Sequence, residues 1–155
     1  MSLLGAGVLD LALPTFARPQ SPIAPGKPLR GIFAIAQTPF TGSNQLDVKV
    51  LAREVEFIDR GGVHGFVWPQ MASEYSSLSK SERLAGAEAI LAIGKRLRPA
   101  MVIGVQAPEV QTAVEYARHA EKLGADAIIS LPLAPPDNDD ALLAYFKEVG
   151  KTPRR

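Results

Sequence analysis

From Gly31 onward the chain alternates short apolar runs with amphipathic stretches four times over, and nothing else in the sequence constrains the fold as much. The first run, Gly31 to Thr38, is closed by Pro39 and followed by a polar turn, Thr41 to Asn44. Asp47 then stands where a helix N-cap belongs, and Leu51, Val55 and Ile58 form a helical stripe with Arg53, Glu54, Glu56 and Arg60 on the solvent side. Gly61-Gly62 stops this helix. His64 to Trp68, ending at Pro69, reads as a second strand, and Ser79-Lys-Ser-Glu82 has the form of a capping box opening a helix to about Leu97. A third strand is expected over Ala100 to Val105. Pro108 marks the start of a third helix, with Val110, Val114 and Ala117 in its stripe and Gly124 at its end. Ala125 to Leu131 is the fourth strand. A loop rich in proline and aspartate leads to a last helix, Ala141 to Val149, capped by Asp137 or a neighbour.

The four apolar runs do not alternate with polar residues, which is what burial on both faces of a parallel sheet produces. One helix–strand junction, Gly62-Val-His-Gly-Phe-Val, is written almost as another, Gly124-Ala-Asp-Ala-Ile-Ile. Each has a helix-stopping glycine, a small residue, a polar residue, a small residue and two apolar ones, an internal repeat of βα units. Four such units make half of an eight-stranded barrel or most of a doubly wound sheet, and periodicity alone leaves both open.

Residues 1–29 are of a different character. Pro14, Pro19, Pro22, Pro25 and Pro28 crowd into them, and only Asp10, Arg18 and Lys27 carry side-chain charge before Arg30. Leu3 to Leu13 is an apolar run of signal-peptide length, and Thr15-Phe16-Ala17 places small residues where signal peptidase reads, although Asp10 interrupts the run. A signal remnant and an N-terminal extension are both open readings, so the location is left open: cytoplasmic, or exported if residues 1–17 are a truncated signal peptide. Arg18 to Pro28 is expected as an extended linker, and residues 30–155 as the folded domain.

Composition removes several function classes. Seventeen basic against sixteen acidic side chains leave a net charge of +1, no field for gripping nucleic acid. The chain has no cysteine and only two histidines, His64 and His119, which excludes thiolate chemistry and Cys-based metal sites. No stretch approaches the roughly 20 apolar residues that span a bilayer. Neither a phosphate-cradling glycine loop nor a Gly-x-Ser-x-Gly elbow occurs, so no cofactor is implied.

Four motifs in order carry a family resemblance: Ala36-Gln-Thr38-Pro39-Phe40, then Phe57 to Gly65, then Ser73-Glu74 with Leu78 to Arg83, then His119 to Ala127. Over Gly31 to Lys147 the chain resembles the dihydrodipicolinate synthase and N-acetylneuraminate lyase family. The resemblance implies an α/β fold, the first four βα units of a (β/α)₈ barrel with parallel strand order 1-2-3-4. It also implies lyase chemistry, in which a lysine on the sixth strand forms a Schiff base with pyruvate or another 2-oxo acid. A Gly-Thr-Thr-Gly-Glu motif after the second strand usually holds that acid's carboxylate.

Two departures qualify the likeness. The fourth helix leads only to Lys151-Thr-Pro-Arg-Arg155, where a fifth strand would begin. Its seven lysines, Lys27, Lys49, Lys80, Lys95, Lys122, Lys147 and Lys151, fall in the linker, on helices or in the tail. None is expected in the desolvated position a Schiff-base lysine needs, so no catalytic residue is expected in this chain and the isolated chain should be inactive. The second departure lies in the motif itself: aligned on Glu74, it reads Gln70-Met71-Ala72-Ser73, without the hydroxyl that relays protons in the synthases, and the usual tyrosine pair after strand four becomes Leu133 and Ala134. Backbone amides survive such changes, so a 2-oxo acid site is expected from Thr38, Gln70, Met71, Ala72, Ser73, Glu74 and Gln106, with the amides of residues 71–73 facing the carboxylate. Aspartate semialdehyde is disfavoured as a second substrate.

Each singled-out residue also has a bland reading. Glu74 acts as general acid or base, or, the favoured reading, fixes its loop by accepting backbone N–H groups. Thr38 is structural or ligand-facing, and Gln37, Gln70 and Gln106 at three strand ends suggest a polar pocket. Trp68 is expected in the core, His119 in solvent, and His64 and Asp126 at the face opposite the site. Asp137, Asp139 and Asp140 read as solvated rather than as a cation site. The alternative function is a non-catalytic half-barrel serving binding or assembly, and in either case a homo-oligomer is expected. Half a barrel leaves two open strand edges and the inner faces of Ile32, Val67, Ile103 and Ile129 or their alternates uncovered.

Overall fold

The structure, a computed structural model, describes residues 26–131 and 138–151. The expectations for the signal-like start, for Arg18 to Pro25, and for Leu133, Ala134 and Asp137 lie outside the described residues. Four strands alternate with four helices: β1 (Phe33–Ile35), α1 (Val48–Arg60), β2 (Gly65–Trp68), α2 (Lys80–Gly94), β3 (Ala100–Gly104), α3 (Val110–Leu123), β4 (Ala127–Ile129) and α4 (Asp139–Gly150). All neighbours pair in parallel and the order is β1-β2-β3-β4. A doubly wound sheet reverses direction within its first four strands, as in the orders 3-2-1-4 and 2-1-3-4. An order without reversal is that of a barrel opened after its fourth unit.

The helix ends sit where local chemistry puts them. Asp47 accepts the Val50 N–H at 3.0 Å, and Ser79 and Glu82 form the reciprocal box that opens α2. Gly124 ends α3 at φ +81, a left-handed conformation natural to glycine. Asn138, the neighbour of Asp137, caps α4 by accepting the Ala141 N–H at 2.9 Å. α2 stops at Gly94, short of Leu97, because Arg96 and Leu97 donate to Ile93 and Gly94 in tightened i→i+3 turns.

The core lies between the sheet and its helices. Phe66, Trp68, Met101 and Ile103 point outward into Leu51, Val55, Ile90, Leu91 and Ala117. The opposite, concave face carries Phe33, Ile35, Val67, Val102 and Ile129, in register across the four strands. This corrects two expectations. Ile103 belongs to the helix-side core, and its alternate Val102 lies on the concave face. The concave face is also not open throughout, since Val67 and Val102 are 5% and 6% exposed, and the uncovered residues, Ile35 and Ile129, are those of the edge strands.

Three polar residues also differ from expectation. Glu54 does not face water freely: it accepts the Gln37 N–H at 3.0 Å, and burial raises its carboxyl pKa against the lowering effect of that bond. His119 is half-buried against α2, its Nε2 3.5 Å from Glu88 Oε1. Lys27 is no free linker residue, for its Nζ donates to Gly94 O at 2.6 Å and Pro99 O at 2.9 Å. Burial lowers the Lys27 pKa, while Asp126 and Asp59 act to raise it. Asp126 accepts the Met101 N–H at 2.8 Å and makes the expected ionic contact at the N-terminal ends of the strands.

Candidate functional site

At the opposite end, where the strands finish, the loops after β1, β2 and β3 are tied into one polar network. Thr38, just beyond β1, donates its hydroxyl to the Ser73 carbonyl and accepts the Trp68 indole N–H at 3.1 Å. Ser73 lies in a 3-10 turn, Met71–Ser73, and is completely buried. Its Oγ donates to the Ala36 carbonyl at 2.5 Å and accepts the Gln70 N–H at 3.0 Å, and its own N–H donates to Gln70 O at 2.9 Å. The turn is thereby pinned to β1 through both the hydroxyl and the carbonyl of one residue.

Gln70 also reaches sideways. Its Nε2 donates to Gln106 Oε1 at 3.3 Å, and Gln106 Nε2 donates to the Pro69 carbonyl at 3.0 Å. Arg83 of α2 holds the end of β3 from the helix side, with Nη1 on Gln106 O at 2.6 Å and Nη2 on Gly104 O at 2.7 Å. Its guanidinium stacks on Tyr116 at 4.1 Å, and burial lowers its pKa while the nearby tyrosines act to raise it. Gly104 is obligatory, since a Cβ there would lie 1.7 Å from the Pro69 carbonyl oxygen. At the end of β4, Tyr145 from α4 bonds Ser130 Oγ at 2.6 Å and the Leu131 carbonyl at 3.3 Å.

Thr38, Gln70, Ser73 and Gln106 are thus brought together, and each is consumed by structure. The favoured role for Glu74 is not met. It sits at φ 53 between the turn Met71–Ser73 and a second 3-10 turn, Tyr75–Ser77, with its side chain in solvent. Its carboxylate has no hydrogen-bond or ionic partner among the described residues. Glu82 holds the neighbouring loop instead, accepting the N–H groups of Leu46 and Ser79, both at 2.9 Å. Of the three expected amides, Ser73 is committed internally, whereas those of Met71 and Ala72 have no acceptor among the described residues and both residues are exposed. Gln37 stands apart from the other two glutamines and is exposed. A cavity of about 280 Å³ lies on the far side of Gln106, lined also by Tyr75, Arg83, Thr112 and Tyr116, and not over Met71–Ser73.

Arg83, Gly104 and the Ser73 hydroxyl were not singled out as structural anchors, although a glycine inside an apolar strand run is itself a sign of close backbone approach. Trp68 is fully buried, as expected of a core residue. Among the described residues no group of three or more His, Cys, Asp or Glu side chains is placed to hold a metal, and no helix is long and apolar enough to cross a membrane.

Comparison with known proteins places this mouth in context. N-acetylneuraminate lyase of Mus musculus is 34% identical over 128 residues, 81% of this chain and 40% of that protein. An uncharacterized DapA-like lyase of Thermococcus onnurineus is 30% identical over 126 residues, 79% of this chain and 42% of its own. Among solved structures, a putative dihydrodipicolinate synthetase from Pseudomonas aeruginosa superposes with a TM-score of 0.77 at 26% identity, covering 82% of this chain and 44% of that one. YagE, an Escherichia coli prophage protein of the dihydrodipicolinic acid synthase family solved with pyruvate, gives 0.75 at 28% identity, covering 81% and 42%. The chain spans about two fifths of the length of these relatives. The four-unit order of the sheet and a family-model match over residues 28–153 agree, and the chain belongs to the Dihydrodipicolinate synthetase family.

Proposed function

We propose that this chain supplies the 2-oxo acid carboxylate subsite of a Schiff-base lyase. The observation that carries the reading is the pair of amides at Met71 and Ala72, two exposed residues whose N–H groups have no acceptor among the described residues, on a turn at the strand ends that Thr38, Trp68 and Ser73 hold in place. Two N–H groups fixed before the ligand arrives cost no reorganisation when a carboxylate binds. The lysine that attacks the keto carbon is supplied from outside these 155 residues, because none of the described lysines stands at a strand end facing the mouth. No cofactor enters the reading, and the isolated chain is inactive.

The turn also bears on the second substrate. Met71 is exposed where the synthases carry a hydroxyl, and Ala72 adds no donor. A site without buried donors cannot reject a partner by leaving them unpaired, so it discriminates weakly among polar aldehydes and favours a less polar partner. Aspartate semialdehyde is accordingly a poor substrate.

The test joins this chain to the strand-five-to-eight half of a relative and measures cleavage of large 2-oxo acids against condensation of pyruvate with aspartate semialdehyde. Met71→Pro removes one amide where Gln70 already has the extended backbone that precedes proline (φ −132, ψ −173). It is expected to raise KM for the 2-oxo acid by about tenfold or more, the worth of one hydrogen bond to a charged group, while Met71→Ala leaves KM nearly unchanged. Equal KM values for M71P and M71A would remove the amides from the site.

A further inference from the structure

We propose that Gln106 is a positioning residue for the carboxylate subsite, a role that rests on the reading of the Met71 and Ala72 amides given above: from the end of β3 it holds the peptide that aims them. A trans peptide carries its N–H opposite its C=O, so a carbonyl that is held fixes the direction of the amide across the same bond. The peptides from Pro69 to Ala72 are all trans. Their three carbonyls are all held. Pro69 O accepts from Gln106 Nε2 at 3.0 Å, Gln70 O from the Ser73 N–H at 2.9 Å, and Met71 O from the Glu74 N–H at 3.0 Å. The last two belong to the peptides whose N–H groups are those of Met71 and Ala72, and both bonds close within the turn. Of the three, only the bond to Pro69 comes from another strand.

The Pro69–Gln70 peptide is gripped at both ends. Its oxygen turns over Gly104, where the missing Cβ leaves the room it occupies, and Gln106 Nε2 meets it there. Its nitrogen donates to Ser73 Oγ at 3.0 Å. With both ends held the plane cannot rotate, and the Gln70 φ of −132 that launches the turn is set from outside the turn. The direction of the side-chain bonds follows from that one carbonyl. A carbonyl only accepts, so Gln106 must present Nε2 to Pro69 and Oε1 to Gln70, whose own Nε2 donates at 3.3 Å. A side chain with an acceptor alone, or with neither group, cannot make this pair of bonds. Gln106 is completely buried and Gln70 is buried, so water does not replace either partner. Gln106 is in turn fixed through its backbone, because Arg83 holds its carbonyl and that of Gly104 from α2. Gln70 and Ser73 stand at the two places where the family motif has glycine, so this chain braces its turn with side chains that the motif lacks. The Gln70–Gln106–Pro69 brace lies between β2 and β3, the two inner strands of the sheet.

Gln106→Met keeps the length of the side chain and removes both of its bonds. In the enzyme joined as above it is expected to raise KM for the 2-oxo acid about three- to tenfold, the worth of one neutral hydrogen bond, with kcat nearly unchanged. In the 155-residue chain, nitrogen-15 relaxation should show lower order parameters at the Met71 and Ala72 N–H groups while β2 and β3 keep theirs. Parental KM and order parameters in Q106M, or order lost equally across β2 and β3, overturn the proposal. Combined with Met71→Pro, Q106M should add less than the product of the two KM effects, because both act on one amide; effects that multiply place Gln106 outside the subsite and overturn it. Ser73→Ala frees the nitrogen end of the same peptide and should lower the same two order parameters, which decides the matter should Q106M not fold; parental values in S73A then overturn the proposal. Equal KM values for M71P and M71A remove the carboxylate subsite itself, and this role with it, whereas a raised KM in M71P beside a parental KM in Q106M overturns the positioning role alone.

Discussion

Gly104 shows how little freedom the mouth allows a single residue. The Pro69 carbonyl crosses directly over its Cα, and a methyl group there would overlap the oxygen. Gly104→Ala is expected to destabilise the chain by about 1–3 kcal/mol, the usual cost of overpacking a site that cannot yield, read as a lower thermal midpoint. Arg83 is the converse case, a buried cation neutralised by no carboxylate among the described residues and held by two carbonyls and a ring. Arg83→Met keeps the bulk but strips both carbonyls of their donor, for an expected loss of about 1–3 kcal/mol per carbonyl left unpaired; a variant as stable as the parent would mean that water replaces the guanidinium.

Glu54 gives a prediction with a definite sign. Burial raises its folded-state pKa above the ordinary value of 4.5. A raised carboxyl favours the protonated fold, so stability is greatest below the unfolded pKa and is lost as pH rises through the folded one. Glu54→Gln keeps an acceptor for the Gln37 N–H without the buried charge. It should match the parent in acid and exceed it at neutral pH, and a pH-independent difference in denaturant midpoint would show that desolvation is not what acts there. None of these residues was legible as an anchor from spacing, since each acts on a group 17 or more positions distant in sequence.

At the scale of elements, helix starts were the most legible features, because a cap is a contact within four residues. Asp47, Ser79 and Glu82 all perform the roles their spacing announces. Ser79→Ala should cost about 1 kcal/mol, the typical worth of a capping hydroxyl. Glu82→Ala should cost more, because Glu82 also accepts the Leu46 N–H from the loop before α1; equal costs in denaturant melts would leave that long-range bond without weight. The shift of Glu82 to lower pKa, caused first by its Ser79 side-chain bond, means that its contribution is present above the unfolded carboxyl pKa and fades as pH falls through the folded one. Strand ends were less legible: β1 and β4 keep only three residues each as strand although the apolar runs are longer, because an edge strand finds partners on one side only.

At the scale of the whole molecule, sequence by itself determined the number, order and type of the elements, the caps, and the membership that the motifs announced, since each depends on residues close together in the chain. The lysine positions likewise suffice to predict that incubation with pyruvate and borohydride leaves the mass of the isolated chain unchanged; one stoichiometric adduct would identify a desolvated lysine, with Lys27 the first to examine. What only the tertiary structure decided was the absence of a strand reversal, which periodicity left open, and the fate of each polar group at the mouth. Whether Glu74 or Glu82 accepts the loop amides, and whether Thr38 and Ser73 face a ligand or each other, depends on which backbone groups are left unpaired when β1 and β2 align. That alignment is set by packing between segments more than thirty residues apart, and hydrogen-bonding groups buried together must satisfy one another before any of them is free for a ligand.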